Sequence, residues 1–203
     1  MMKKATGKEG KAETLVYWDI KEFPVPLGFD ARRIRPCIDG LLVSNGYSGP
    51  VTIYAVGILT DVHVDILGAL SSTGIILLHS AFCVTDILVF ASAWMHNNSP
   101  PANILIISDP DSFPTPPSGY NLFSPFPYSS PQEDAISWIN LILTSLLSGT
   151  LEEDKCSETY ESTSWFCSIC RPLPAVQSRV HSDVDLYGTS EDGFETFTSH
   201  LSS

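Results

Sequence analysis

Basic residues are scarce in this chain, and their placement limits what it can hold. Eleven Lys and Arg stand against 23 Asp and Glu, for a formal net charge of −12. Eight of the eleven precede residue 50, and none lies between Val51 and Asp154. Contacts to nucleic-acid phosphates need Lys or Arg to displace counterions. In the first half Lys3, Lys4, Lys8, Lys11 and the Arg32-Arg33-Arg35 cluster, besides Lys21, are available for that. The acidic second half repels nucleic acid unless a metal ion intervenes. The N-terminal lysines read as a disordered solubilising tail over residues 1–11.

Cysteine is few and odd in number, at five, and no apolar stretch near the N-terminus resembles a signal peptide. A reducing, cytoplasmic compartment without structural disulfides is expected. No glycine-rich phosphate loop is present, since Asp19-Ile20-Lys21 leads toward proline rather than Gly-x-Gly. There is no internal repeat and no DNA-specific motif. One stretch, Gly74 to Met95, approaches the length and apolarity of a membrane span. It lacks flanking Lys or Arg, and an Asp such as Asp86 near a helix centre costs about 2.5–3.5 kcal/mol on insertion scales. It therefore reads as a buried strand followed by a buried helix, not as a membrane segment.

What is present is an ordinary globular composition, 43% hydrophobic and 17% charged, enough for one α/β domain with an appendage. Two apolar strands end in aspartate. Thr14-Leu15-Val16-Tyr17-Trp18 runs into Asp19, and Asn103-Ile104-Leu105-Ile106-Ile107-Ser108 runs into Asp109 and Asp111. Continuous β-branched runs of this length are strands buried on both faces, hence a parallel sheet covered by helices. In such sheets the site lies outside the carboxyl ends of the strands. Two acidic ends converging there repel each other unless a hard cation such as Mg²⁺ neutralises them. Equally, each Asp alone serves as a cap of the following turn.

Strand and helix signals alternate. Asp30 caps a helix that ends at Gly46, Val51 to Val56 and Gly74 to His79 are strands, and short and long helices follow near Asp65 and Thr85. After Asp109 seven prolines break the pattern, leaving a strand at Tyr120 to Phe123 and a helix from Pro131 to Leu147. Leu151 to Glu161 is an acidic linker. The Ser-rich tail beyond it is weakly structured apart from Cys167-x-x-Cys170 and a periodic patch at Phe194, Phe197 and His200. His63, His79 and His96 read as loop or helix-end residues, with His79 at a strand exit. Trp94 and Trp138 read as core.

Several motifs carry a family resemblance: Val16-Tyr17-Trp18-Asp19-Ile20 followed by Phe23-Pro24-Val25-Pro26, Gly46-Tyr47-Ser48-Gly49-Pro50-Val51, Ala69-Leu70-Ser71-Ser72-Thr73-Gly74-Ile75, and Pro100-Pro101-Ala102-Asn103-Ile104-Leu105-Ile106-Ile107-Ser108. Residues 12–148 thereby resemble the plant NYN-domain proteins, PIN-like and endoribonuclease-like, related to the meiosis regulator and mRNA stability factor also called limkain b1. The resemblance implies a three-layer PIN-like α/β domain with a central, mainly parallel sheet over 12–148. It also implies a poorly structured tail over 149–203, an acidic and Ser-rich linker with a vestigial zinc finger.

It implies catalytic roles for Asp19, Asp109 and Asp111 as ligands of Mg²⁺ or Mn²⁺, with Asp86 as helper, and a Zn²⁺ site from Cys167, Cys170 and His200. Two unliganded thiols are the alternative for the finger, and His181 or Cys156 would have to complete it. The acids are where the chain departs from the family. Lys21 and Glu22 stand where the opening motif has Glu and Asn, Phe90 stands at the middle acid, and Ser108-Asp109-Pro110-Asp111 shifts the last motif by one residue. Lys21 is placed to pair with Asp19 and occupy the site itself. Three readings follow: a metal-dependent endoribonuclease on single-stranded RNA, a pseudonuclease serving gene regulation through RNA or protein partners, and a nucleotide- or phosphate-binding domain. Relatives are also placed in the peroxisome, although Leu201-Ser202-Ser203 is not a Ser-Lys-Leu address.

Overall fold

The computed structural model describes residues 2–80, 83–109, 113–147, 165–167 and 191–201. Six strands form one sheet in the order β5-β4-β1-β2-β3-β6, and every pairing is parallel. These are β1 (Thr14–Asp19), β2 (Val51–Gly57), β3 (Ile76–His79), β4 (Ala102–Ile107), β5 (Tyr120–Phe123) and β6 (Trp165–Cys167). The helices are α1 (Ile34–Ser44), α2 (Val64–Ser72), α3 (Cys83–Asn97), α4 (Pro131–Leu147) and α5 (Glu191–Leu201). β1 and β4 are buried along their whole length, as their unbroken apolar runs require.

Alternation along the strands sorts the core into two layers. Val16, Trp18, Ile53, Ala55, Leu105 and Ile107 face one side, where they pack with Ile34, Ile38 and Leu42 of α1, Leu67 and Leu70 of α2 and Trp138 and Ile142 of α4. Leu15, Tyr17, Val56, Leu78, Ile104 and Ile106 face the other, against Phe90, Ala91 and Trp94 of α3. The result is the three-layer α/β arrangement with a parallel central sheet. Among the described residues, no helix is long and apolar enough to cross a membrane; Gly74 to Met95 resolves into β3 and α3.

One segment expected to lack structure has it. The N-terminal segment is not a free tail: Met2 is buried, Lys3 Nζ donates to Asn121 Oδ1 at 2.8 Å, and Ala5 N–H donates to the Asn45 carbonyl at 2.9 Å. Asn103 Nδ2, at the start of β4, donates to the Glu9 carbonyl at 2.9 Å. A Cβ at Gly49 would collide with the Lys11 and Ala12 carbonyl oxygens, so the segment crosses the amino end of the sheet only over glycine. Its charges hid this packing, because the partners are backbone groups and buried amides far away in sequence.

Beyond residue 149 the described residues are 165–167 and 191–201; there β6 extends the sheet beside β3 and α5 places Phe197 in the core at 1% exposure. The periodic patch at Phe194, Phe197 and His200 is thus the inner face of a helix, with Phe194 against Gly68 of α2. A cavity of about 270 Å³ remains beside it, lined by Leu59, Val62, Val64, Leu67, Thr198 and Leu201.

Candidate active site

The chain runs from β1 through β2 to β3 on one side, then returns to place β4 and β5 on the other. β1 and β4 are therefore neighbours across a topological switch point, where the crevice of an open parallel sheet lies. Asp19 ends β1, and Ser108 and Asp109 follow β4, so the fold brings these two strand ends side by side.

Asp19 is 9% exposed. Its Oδ1 accepts the backbone N–H groups of Lys21 at 2.9 Å and Glu22 at 3.0 Å, which folds the β1 exit around the carboxylate. Burial pushes its carboxyl above the usual range, against the two N–H bonds and the Lys21 charge. Glu22 reaches across the switch point, its Oε2 accepting the Asp109 N–H at 3.1 Å. The residue as a whole is exposed at the rim, yet partial withdrawal of its carboxylate from water, with Asp19, Asp109 and Asp134 around it, raises its carboxyl too. Asp134, buried in the first turn of α4, accepts the Ser129 N–H at 2.9 Å. Tyr128 pins the β4 exit: its hydroxyl accepts the Ser108 N–H at 3.0 Å and donates to the Ile106 carbonyl at 3.3 Å.

The sequence-level candidates fare differently. Asp19 and Asp109 come together; Asp109 is exposed. Asp111 lies outside the described residues. Asp86 sits in the first turn of α3, the end nearer the crevice, since a helix returning between parallel strands starts at their carboxyl ends. Lys21 is exposed, and no ion pair joins its ammonium to Asp19 among the described residues, so it does not occupy the site. Phe90 faces the sheet in the apolar layer, its ring centroid 4.1 Å from that of Tyr54, rather than lining the crevice.

Of the proposed zinc ligands, Cys170 lies outside the described residues, as do Cys156 and His181. Cys167 is at the end of β6, in register with His79 of β3. Burial lowers the His79 pKa, and the nearby His200 lowers it further, against the Asp61 charge. His79 Nδ1, though, accepts the Leu59 N–H at 3.0 Å. Three acidic or hydroxyl groups were missed as site members. Glu22 registered only as a replaced Asn, Asp134 lies in the first turn of a helix expected from its apolar period alone, and Tyr128 sits in a proline-broken run without periodicity.

A divalent cation needs several oxygens converging on one point. Among the described residues, no three His, Cys, Asp or Glu side chains form a group that could hold a metal ion. Asp19 Oδ1 holds two backbone N–H groups and Glu22 Oε2 holds a third, so one oxygen of each carboxylate is given to the loop. The described carboxylates do not fit a metal centre as they stand.

The raised Asp19 carboxyl carries a sign. A carboxyl that binds its proton more tightly folded than unfolded costs stability as pH rises past its ordinary titration. Asn keeps an Oδ1 for both N–H bonds and loses the charge. Asp19→Asn is therefore expected to match or exceed the parent melting temperature at pH 7, the advantage shrinking toward pH 4. Melts across pH 4–8 check this, and a variant less stable at pH 7 than at pH 4 relative to the parent would show that the charge itself stabilises the loop.

The family model for the NYN domain matches residues 13–116, from the start of β1 past the β4 exit. No curated protein and no solved structure matches the chain.

Proposed function

The chain belongs to the NYN domain family, and from that premise we propose that it keeps a PIN-like nuclease-type fold for work on RNA with an acidic site incomplete for cleavage. The observation that carries this reading is the use made of the crevice carboxylates. Asp19 and Glu22 are engaged by backbone N–H groups and hold the β1 and β4 exits in place, instead of converging on an empty point.

In an active member, Mg²⁺ or Mn²⁺ activates water and neutralises charge on the phosphate. Here Asp19, Asp109 and Asp111 are the residues the family pattern offers for it, and the described ones do not assemble into its coordination shell. The role that follows is that of a pseudonuclease in RNA metabolism or regulation of gene expression, binding without cutting. Within the family, the Trp18-Asp19-Ile20 opening and the Pro100-Pro101 approach to β4 favour kinship with the plant members and limkain b1.

The test is incubation of purified full-length protein with a labelled single-stranded oligoribonucleotide and Mn²⁺, beside Asp19→Asn. Equal and negligible cleavage by both is expected. Robust metal-dependent cleavage by the parent, abolished in Asp19→Asn, would overturn the reading and make this an active endoribonuclease.

A further inference from the structure

The cavity beside α5 belongs to a groove that already holds a helix. One wall is the short helical turn Leu59–Asp61 with Val62, and the other is the start of α2 at Val64 and Leu67. α5 enters it with Phe194, Phe197, Thr198 and Leu201. Their spacing of i, i+3, i+4 and i+7 is the one by which an amphipathic helix is held in an apolar groove. Phe194 lies over Gly68, where a Cβ would stand 3.4 Å from the ring. Thr198 and Leu201 share the cavity with Val64, one turn earlier on α2, so α5 runs antiparallel to it.

The helix fills this groove incompletely. Phe197 is buried, but Phe194 and Leu201 are half-buried. Thr198 is short and turns its hydroxyl back to its own helix, donating to the Glu195 carbonyl at 3.0 Å. A cavity of about 270 Å³ stays open beside it. Protein interiors keep few voids larger than a water, and about 150 Å³ of apolar cavity already binds benzene. The rim at this end is also acidic. Asp61 and Asp65, both exposed, adjoin the lining residues, and Asp65 meets His63 in an exposed pair at 3.4 Å that holds little energy. The last turn of α5 brings no Lys or Arg to these carboxylates.

We propose that the groove between the Leu59–Asp61 turn and α2 is a docking site for an amphipathic helix of a partner protein, with α5 as its tethered placeholder. The partner's helix has the Phe-x-x-Phe spacing, an aliphatic side chain at the position of Thr198, and Lys or Arg just beyond that of Leu201. The aliphatic group fills the cavity, and the cations meet Asp61 and Asp65. α5 offers neither, so a second copy of this chain is a poorer occupant than such a helix. A helix on the same chain competes at an effective concentration on the order of millimolar. It therefore keeps the apolar groove covered until a tighter helix takes its place.

Fluorescence anisotropy of two labelled peptides on the full chain tests it. One spans residues 190–203, and the other is the same peptide with Thr198→Leu, Ser202→Lys and Ser203→Lys. The substituted peptide is expected to bind the parent at least tenfold more tightly than the unsubstituted one. Val64→Lys in the chain, at an exposed position on the groove wall, is expected to abolish that binding. Asp61→Asn/Asp65→Asn is expected to remove the part of it that salt screens. Phe194→Ala loosens α5 and is expected to strengthen binding of both peptides several-fold, with a cooperative thermal melt confirming that each variant folds. If neither peptide binds the parent or the Phe194→Ala chain, or if binding survives Val64→Lys, the groove is not a docking site. Equal affinity of the two peptides would overturn the roles given to the cavity and the acidic rim. Dimerisation of the parent in sedimentation, lost in Val64→Lys, would give the groove to α5 of a second copy and overturn the choice of partner.

Discussion

Phe90→Asp is expected to destabilise the protein severely instead of completing its acidic site. The ring is 9% exposed in the layer formed with Val56, Leu78 and Trp94, and it packs on Tyr54. Removing a buried Phe side chain costs about 3–5 kcal/mol. An aspartate adds a carboxyl that must stay protonated or be buried as an unpaired charge. No Lys or Arg between Val51 and Asp154 is there to pair with it. Against a typical total stability of about 5–15 kcal/mol, the loss removes much of the folded population. Lys21→Glu, at an exposed position, is expected to fold normally. Urea denaturation separates the two. A Phe90→Asp protein with the parent's midpoint and a new affinity for Mn²⁺ would show that this position does reach the crevice.

The contrast shows where the sequence was legible. β1 and β4 were readable because strands buried on both faces must be apolar throughout, and that signal is local and long. α4 was readable to its bounds for a similar reason, a strong start after Pro131 and an extended apolar period. Phe90 was legible as a residue that cannot ligate, but its direction was not, since the position on α3 is fixed by ridges packing on β2. The docking of residues 2–11 was illegible for a different reason. A charged segment looks solvated in isolation, and Met2 becomes core only once a distant surface exists to receive it, whereas the period at Phe194, Phe197 and His200 did mark the inner face of α5.

The site divides along the same line. Asp19 and Asp109 were legible from a rule about strand ends, which needs only the strands. Their neighbours depended on the path of the loops. Glu22 looked like a lost Asn until the β1 exit folded around Asp19 Oδ1 and turned it toward the Asp109 N–H. Asp134 and Tyr128 arrive from a segment 20 or more residues downstream through a proline-broken run that carries no period to read. Lys21 illustrates the reverse error. Adjacent in sequence to Asp19, it suggested an ion pair, yet its backbone N–H makes the contact and its ammonium stays in solvent.

Trp138 is where the core meets the β1–α1 loop, and its replacement is expected to show both. It is 1% exposed, with ring centroids 5.7 Å from Trp18 and 6.3 Å from Phe23. Truncation to Ala is expected to cost about 3–5 kcal/mol, since a cavity that large in a close-packed layer collapses only in part. Phe is the informative replacement. It keeps most of the apolar contact but drops the indole N–H, leaving the Pro24 carbonyl without its donor, for a loss of about 1–3 kcal/mol. The Trp18 bond to the Phe23 carbonyl is kept, but the stretch after it loses its tie to α4. Amide hydrogen exchange at the N–H of Phe29 and its neighbours in the loop is expected to quicken several-fold in Trp138→Phe under conditions where the variant remains folded. Exchange equal to the parent's would mean that the indole anchors α4 to the core and has no part in holding the loop.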